Sequence, residues 1–129
     1  MPHSVLTSTP PNTPTPIGPY NHIAQVGMFI TIGGTAGVDP TTGQLAGPDV
    51  YAQARQILKS FAVMLESAGS DLGHVLHVNV FLKDMRDFDE MNRAWDEWVD
   101  MANLPARATV EAKLASADYK VEIAVIAAR

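Results

Sequence analysis

Between residues 49 and 68 apolar side chains recur at the spacing of helix turns: Val50, Ala54, Ile57, Leu58, Phe61, Leu65 and Ala68. That spacing predicts a helix with one apolar stripe, capped by Asp49 and stopped at Gly69. A second stripe, Phe88, Met91, Trp95 and Trp98, predicts a helix over about 87–100, where Asp87 and Glu90 have the spacing of a capping box. Elsewhere the apolar positions fall in short runs. "HIAQVG" and "MFITIGG", split by Gly27, predict a hairpin, and "GVDPTTGQL" predicts a turn-rich loop. "HVLHVNVFLKD" (74–84) predicts a buried strand with Leu76, Val78, Val80 and Leu82 on one face. Two strands follow, at 106–114 and 119–128. Residues 8–19, "STPPNTPTPIGP", are proline-rich and should be extended or irregular, with room for a third strand at the N-terminus. Each helix has a single stripe, so both should pack on one face of one mixed sheet, an α+β architecture within a single domain spanning 1–129.

The last two strands carry two charges that call for a reason. Ala106, Ala108, Val110, Ala112 and Leu114 alternate with Arg107, Thr109, Glu111 and Lys113, the pattern of a strand with one buried and one polar face. In 119–127 a nearly apolar run carries Glu122 in its middle. A charge there is costly unless it is solvated, paired or useful. If "ASAD" (115–118) closes a four-residue loop, Leu114 opposes Tyr119 and Val110 opposes Ile123. Arg107 and Glu122 then share the face away from the helices but stand about four positions, ~13 Å, apart at ~3.3 Å per residue. Within one chain they could not grip one small molecule. An open face bearing Ala124 and Ile126 invites cover by another subunit, so Arg107 of one chain could meet Glu122 of its neighbour. The simpler alternative is a set of exposed cross-strand pairs, Arg107 with Glu111 and Glu122 with Lys113 or Lys120, which contribute little.

Composition narrows the functions open to the chain. At 129 residues and 47% apolar it has the material for one ordinary core. With no cysteine there is no disulfide, no thiolate metal site and no thiol nucleophile. The net charge of −5, with scattered basic residues, argues against nucleic acid as a partner. No apolar run approaches a membrane span, and "MPHSVLTSTPPNTPTP" lacks the build of a secretory leader, so no membrane role and a cytoplasmic location are expected.

Five stretches in order, "IGPY" (17–20), "TIGG" followed by "VDPTTGQL", "FLKDMRDFDEMN" (81–92), "LPARATVE" (104–111) and "YKVEIAVIA" (119–127), resemble the RidA/YjgF family of imine and enamine deaminases. The resemblance covers nearly the whole chain. It implies a chorismate-mutase-like subunit and a homotrimer with clefts between subunits. It also implies cofactor-free hydrolysis of reactive 2-imino or enamine acids, such as 2-iminobutanoate, to 2-keto acids and ammonia. By position Arg107 matches the arginine that binds the substrate carboxylate, Glu122 the glutamate that orients water, Tyr20 the cleft tyrosine and Asn92 the cleft asparagine. Backbone groups of Arg107–Thr109 and Gly33–Gly34 would complete the lining, so Gly33 and Thr109 join the binding residues. The chain departs from the pattern at Thr109, where cysteine is usual, near Ile32 or Gly33, where serine is usual, and at Ala124, where a second acid is common. These departures leave room for two alternatives: a deaminase of a larger, aminomuconate-like enamine, or a non-catalytic, metabolite-binding regulatory member. A ribonuclease label also attaches to the family, and the acidic charge argues against it.

Other features carry less. His74 and His77 are three apart and on a strand would point to opposite faces, so no metal site is expected. Gly33, Gly34 and Gly37 lack the Gly-Lys-Ser/Thr of a phosphate loop and suggest a bulge or close backbone approach. Trp95 and Trp98 fit core packing, and His22 is expected at the surface or an interface.

Overall fold

The computed structural model describes residues 4–129, so the first three positions of the stretch read for a leader lie outside the described residues. In chain order the elements are β1 (Leu6–Ser8), β2 (Ile23–Val26), β3 (Phe29–Ala36), β4 (Val38–Asp39), β5 (Gln44–Leu45), α1 (Val50–Ser67), β6 (Val75–Leu82), α2 (Phe88–Trp98), β7 (Ala106–Glu111) and β8 (Val121–Ala128). Six strands form one mixed sheet in the order β1-β2-β3-β8-β6-β7, and β4 with β5 make a separate small ribbon. Both helices cover one face. The core between lies among Ile23, Ile30, Ile32, Ala54, Ile57, Phe61, Val78, Val80, Met91, Ile123 and Val125, all buried.

The two helices and the β2–β3 hairpin form where the pattern put them. Gly27 turns the hairpin at φ 56, a left-handed conformation glycine adopts without penalty. The caps differ from expectation: neither Asp49 nor Asp87 makes a side-chain cap bond. A 3-10 turn (Met85–Asp87) leads into α2, and Asp84 caps it by accepting from the Arg86 N–H. Glu111 at the end of β7 accepts from the Met85 N–H at 3.0 Å, tying that turn to the sheet.

The closing hairpin does not exist. β7 lies parallel to β6 at the sheet edge, Arg107 opposite Val78 and Thr109 opposite Val80, while β8 runs antiparallel between β3 and β6. Val110 therefore pairs with Phe81, not with Ile123. The connections explain this. The crossover from β3 through α1 to β6 leaves a gap one strand wide, whereas that from β6 through α2 sets β7 directly beside β6. β8, apolar on almost every residue, fills the gap as a central strand. The alternating, short β7 serves as an edge.

Two further shifts follow from irregular strands. β6 changes register between Val75 and His77, so Val75 takes the buried position and Leu76, expected in the core, is exposed. β3 changes register between Ile32 and Thr35: three steps on β3 match two on β8, from Val125 to Ile123, so Gly33 and Gly34 share the place opposite Ala124. This is the anticipated bulge.

Candidate functional site

On β7 the odd positions face the helices, because their partners Val78, Val80 and Leu82 are core residues. Arg107 and Thr109 thus point under α2, opposite to the expectation that placed Arg107 on the open face. The guanidinium carbon of Arg107 stands 5.1 Å from the ring centroid of Trp95 and 5.6 Å from that of Phe88. Phe88, Asn92 and Trp95 are spaced four and three residues apart, which puts Asn92 in the same helix stripe. No ion pair engages Arg107 among the described residues. Burial pulls its proton affinity below the ordinary arginine value, with the charge of Asp96 opposing. The cation is held by ring faces, an attraction that leaves its N–H groups unspent. Two acceptors in the same region are also unspent: Asn92 Oδ1 and Thr109 Oγ1 are buried with no hydrogen-bond partner. Buried polar groups normally find one, so each such orphan needs a reason.

Glu122 lies on the opposite face. Its neighbours Val121 and Ile123 are in the core, so it points to the uncovered side of the sheet, three residue rows from Arg107. At ~3.3 Å per row that is about 10 Å along the strands, with the sheet itself between. One chain cannot bring the two charges together, as expected, although the cause is opposite faces rather than distance on one face. Glu122 has no ion pair among the described residues either, and burial pushes its carboxyl above the ordinary carboxylate range. The glycine that accommodates it is Gly34: a Cβ there would collide with Glu122 Oε2. Gly33, the position singled out from the sequence, would meet only the His22 carbonyl, at 3.9 Å. Its N–H donates to that carbonyl at 2.9 Å.

Tyr20 is 44% exposed at the end of the proline-rich segment, and its hydroxyl oxygen accepts the Ile17 N–H at 3.2 Å. Its ring meets that of His22 edge-on with centroids 6.2 Å apart. His22 itself is only 4% exposed, so the expected surface or interface placement fails: its own proline-rich segment covers it. The alternative pairings also fail, since Glu111 serves the turn before α2 and Glu122 is unpaired. Of the other histidines, His74 bonds Asp71 at 2.7 Å and His77 bonds Asn79 at 3.0 Å.

The structure thus gathers Arg107, Thr109 and Asn92 on one side of the sheet and sets Glu122 against Gly34 on the other, while Tyr20 and Gly33 each meet His22 rather than Glu122. The open face between β3 and β7 exposes Phe29, Ile126 and Val110. Sequence reasoning missed two contributors, Phe88 and Trp95 as the holders of Arg107, and named Gly34 for its backbone rather than as the floor under Glu122. An asparagine inside an apolar stripe and two adjacent glycines inside a strand were the available signals.

Fold and site define a small α+β chain that carries, with no ion pair to either among the described residues, an arginine on one sheet face and a half-buried carboxylate on the other. A family model described as Endoribonuclease L-PSP matches residues 10–129. A RutC family protein of Pyrococcus horikoshii is 40% identical over 116 residues, 90% of this chain and 91% of that protein. The 2-iminobutanoate/2-iminopropanoate deaminase of Salmonella typhimurium is 38% identical over 120 residues, 92% of this chain and 93% of that one. The crystal structure of the Escherichia coli YjgF gene product superposes with a TM-score of 0.87 at 35% identity, covering 96% of this chain and 98% of that one. The chain belongs to the RidA/YjgF family, the group that the Endoribonuclease L-PSP model describes. Among the described residues no helix is long and apolar enough to cross a membrane.

Proposed function

We propose that the protein is a cofactor-free deaminase of 2-imino or enamine acids, working in clefts where Arg107 of one subunit meets Glu122 of the next in a homotrimer. The observation that carries this reading is the state of Arg107. It is a half-buried guanidinium stacked on two rings, without a carboxylate, beside two orphaned acceptors. Such a cation binds an incoming carboxylate through two parallel hydrogen bonds, which fix orientation as well as charge. Asn92 Oδ1 and Thr109 Oγ1 would accept from the substrate's N–H groups or from a bound water.

The substrate carbon needs little activation. A protonated imine is already electrophilic, so the site has to place a water and remove its proton. Glu122, raised in proton affinity by burial, is suited to that exchange. Water adds to the C=N carbon while Glu122 takes a proton. The glutamic acid returns its proton to the carbinolamine nitrogen, and the C–N bond then breaks as the hydroxyl gives its proton to the regenerated carboxylate and ammonia departs. The product is a 2-keto acid. A cover for the open face is what turns two separate half-sites into one cleft, and exposed Phe29, Val110 and Ile126 fit that use.

The test is the hydrolysis rate of 2-iminobutanoate generated in situ, for wild type and Arg107→Ala. Acceleration by wild type alone, with the trimer intact in both, supports the reading. Failure of both with small imines moves the substrate to a larger enamine if that class is turned over. If carboxylates raise the melting temperature without any turnover, the role is binding. If Arg107→Ala loses the trimer, Arg107 is structural.

A further inference from the structure

His22 is a buried titratable side chain that the hydrolysis does not consume. Residues 10–20 join β1 to β2 with five prolines in eleven positions, so nearly half their backbone donors are missing. A segment of that kind cannot be secured by a backbone ladder and depends on side-chain bonds. Few are present. Thr9 Oγ1 accepts from the His22 N–H at 3.1 Å and donates to Asn21 Oδ1 at 3.1 Å, and the Thr13 hydroxyl donates within the segment to the Pro10 carbonyl. The contact that reaches the middle of the segment is His22 Nε2 to the carbonyl of Pro14, at 2.5 Å. A carbonyl only accepts, so Nε2 donates to it, while Nδ1 is buried without a partner.

The same residue touches both the β3 bulge beside Glu122 and the ring of Tyr20. Its carbonyl receives the Gly33 N–H at the β3 bulge, next to the glycine on which Glu122 rests, and its ring meets the Tyr20 ring edge-on. We infer that His22 is a positioning residue: it clamps Pro14 through Nε2–H and the bulge through its carbonyl, and so fixes Tyr20 relative to Glu122. This rests on the deaminase reading and adds a residue to it.

The test compares His22→Phe, which keeps a ring but no donor, with His22→Gln, which keeps an N–H donor. Kinetics on 2-iminobutanoate should show KM raised about tenfold in His22→Phe, the size of one lost hydrogen bond, with kcat little changed. His22→Gln should recover most of that. Adding His22→Phe to Tyr20→Ala should cost nothing further, because the histidine acts through the tyrosine. Amide exchange across residues 12–20 should speed up in His22→Phe and not in His22→Gln. Nitrogen NMR of the wild-type ring, which needs no variant to fold, should find Nε2 protonated and Nδ1 bare. The reverse tautomer, an additive double variant, or a KM unmoved in His22→Phe with active wild type would each overturn this proposal alone. Wild type without imine or enamine turnover would overturn the deaminase reading and this proposal together.

Discussion

The Arg107 side and the Glu122 side of the sheet are built to different degrees by the single chain. Under α2, folding alone supplies rings for the cation, burial and two acceptors waiting for donors. On the open face, folding supplies a glycine floor for the carboxylate and nothing above it. The arginine's surroundings are therefore a property of the single chain, whereas the carboxylate's are left open on one side. The contrast also shows how a bare cation can be kept ready. Ring faces attract a guanidinium without occupying its hydrogen-bonding edge, while a carboxylate partner would occupy it.

The sharpest way to break the comparison is Glu122→Gln. It should lower kcat by about 10²–10⁴, the usual worth of a general base, with the trimer retained. The pH–rate profile of wild type should lose activity as pH falls through an apparent value above the ordinary 4.5, because burial raises the carboxyl. The stability sign runs the other way. A carboxyl raised on folding binds more protons folded than unfolded between the two values, so its cost grows as pH rises through that window. Glu122→Gln should then melt above wild type at pH 7, with the gap closing below about pH 4.5. Equal melting at both pH values would mean that the carboxylate is fully solvated.

Next in size is Ile126→Lys, which puts a charge on the open face and leaves the Arg107 side alone. Turnover should fall in proportion to the trimer lost in sedimentation, by about 10²-fold at dilution. Activity in a proven monomer would show that no partner is needed. Gly34→Ala is smaller: the added methyl meets the far end of a flexible side chain, so melting should stay within a few degrees while kcat falls about ten- to a hundredfold as Glu122 is displaced. The mildest is Trp95→Phe, which keeps an aromatic face; KM should rise by no more than about threefold, the difference between indole and phenyl as partners of a cation. A larger kcat loss would give Trp95 a role beyond stacking.

Much of this was legible in the chain. The stripes of α1 and α2 fixed both helices, because burial of one helix face leaves a period that nothing else produces. The charge at 122 stood out because it interrupts an apolar run, whereas Arg107 follows the alternation of its strand and was singled out by the family resemblance. The strand partners were not legible. Alternation in 106–111 says that the two faces differ, not which one meets the helices, and here the polar set, Arg107 and Thr109, faces inward in register with Val78 and Val80. The length and apolar character of 121–128 marked a central strand more clearly than a hairpin arm, and proximity in sequence concealed it. Gly34 and His22 act through backbone geometry and a segment crossing, which no periodicity records.

The central seat of β8 has a consequence for synthesis. Ribosomes release chains from the N-terminus, so β3 and β6 emerge well before the strand that must lie between them. Until residues 121–128 appear, the β1–β3 ribbon and the β6–α2–β7 unit are two fragments sharing no ladder, each with an unpaired apolar edge. Closure waits on distant pairing, which is slow and leaves such edges open to other chains. A nascent chain stalled before Val121 should accordingly bind holdase chaperones, and release of the last eight strand residues should free it in one cooperative step.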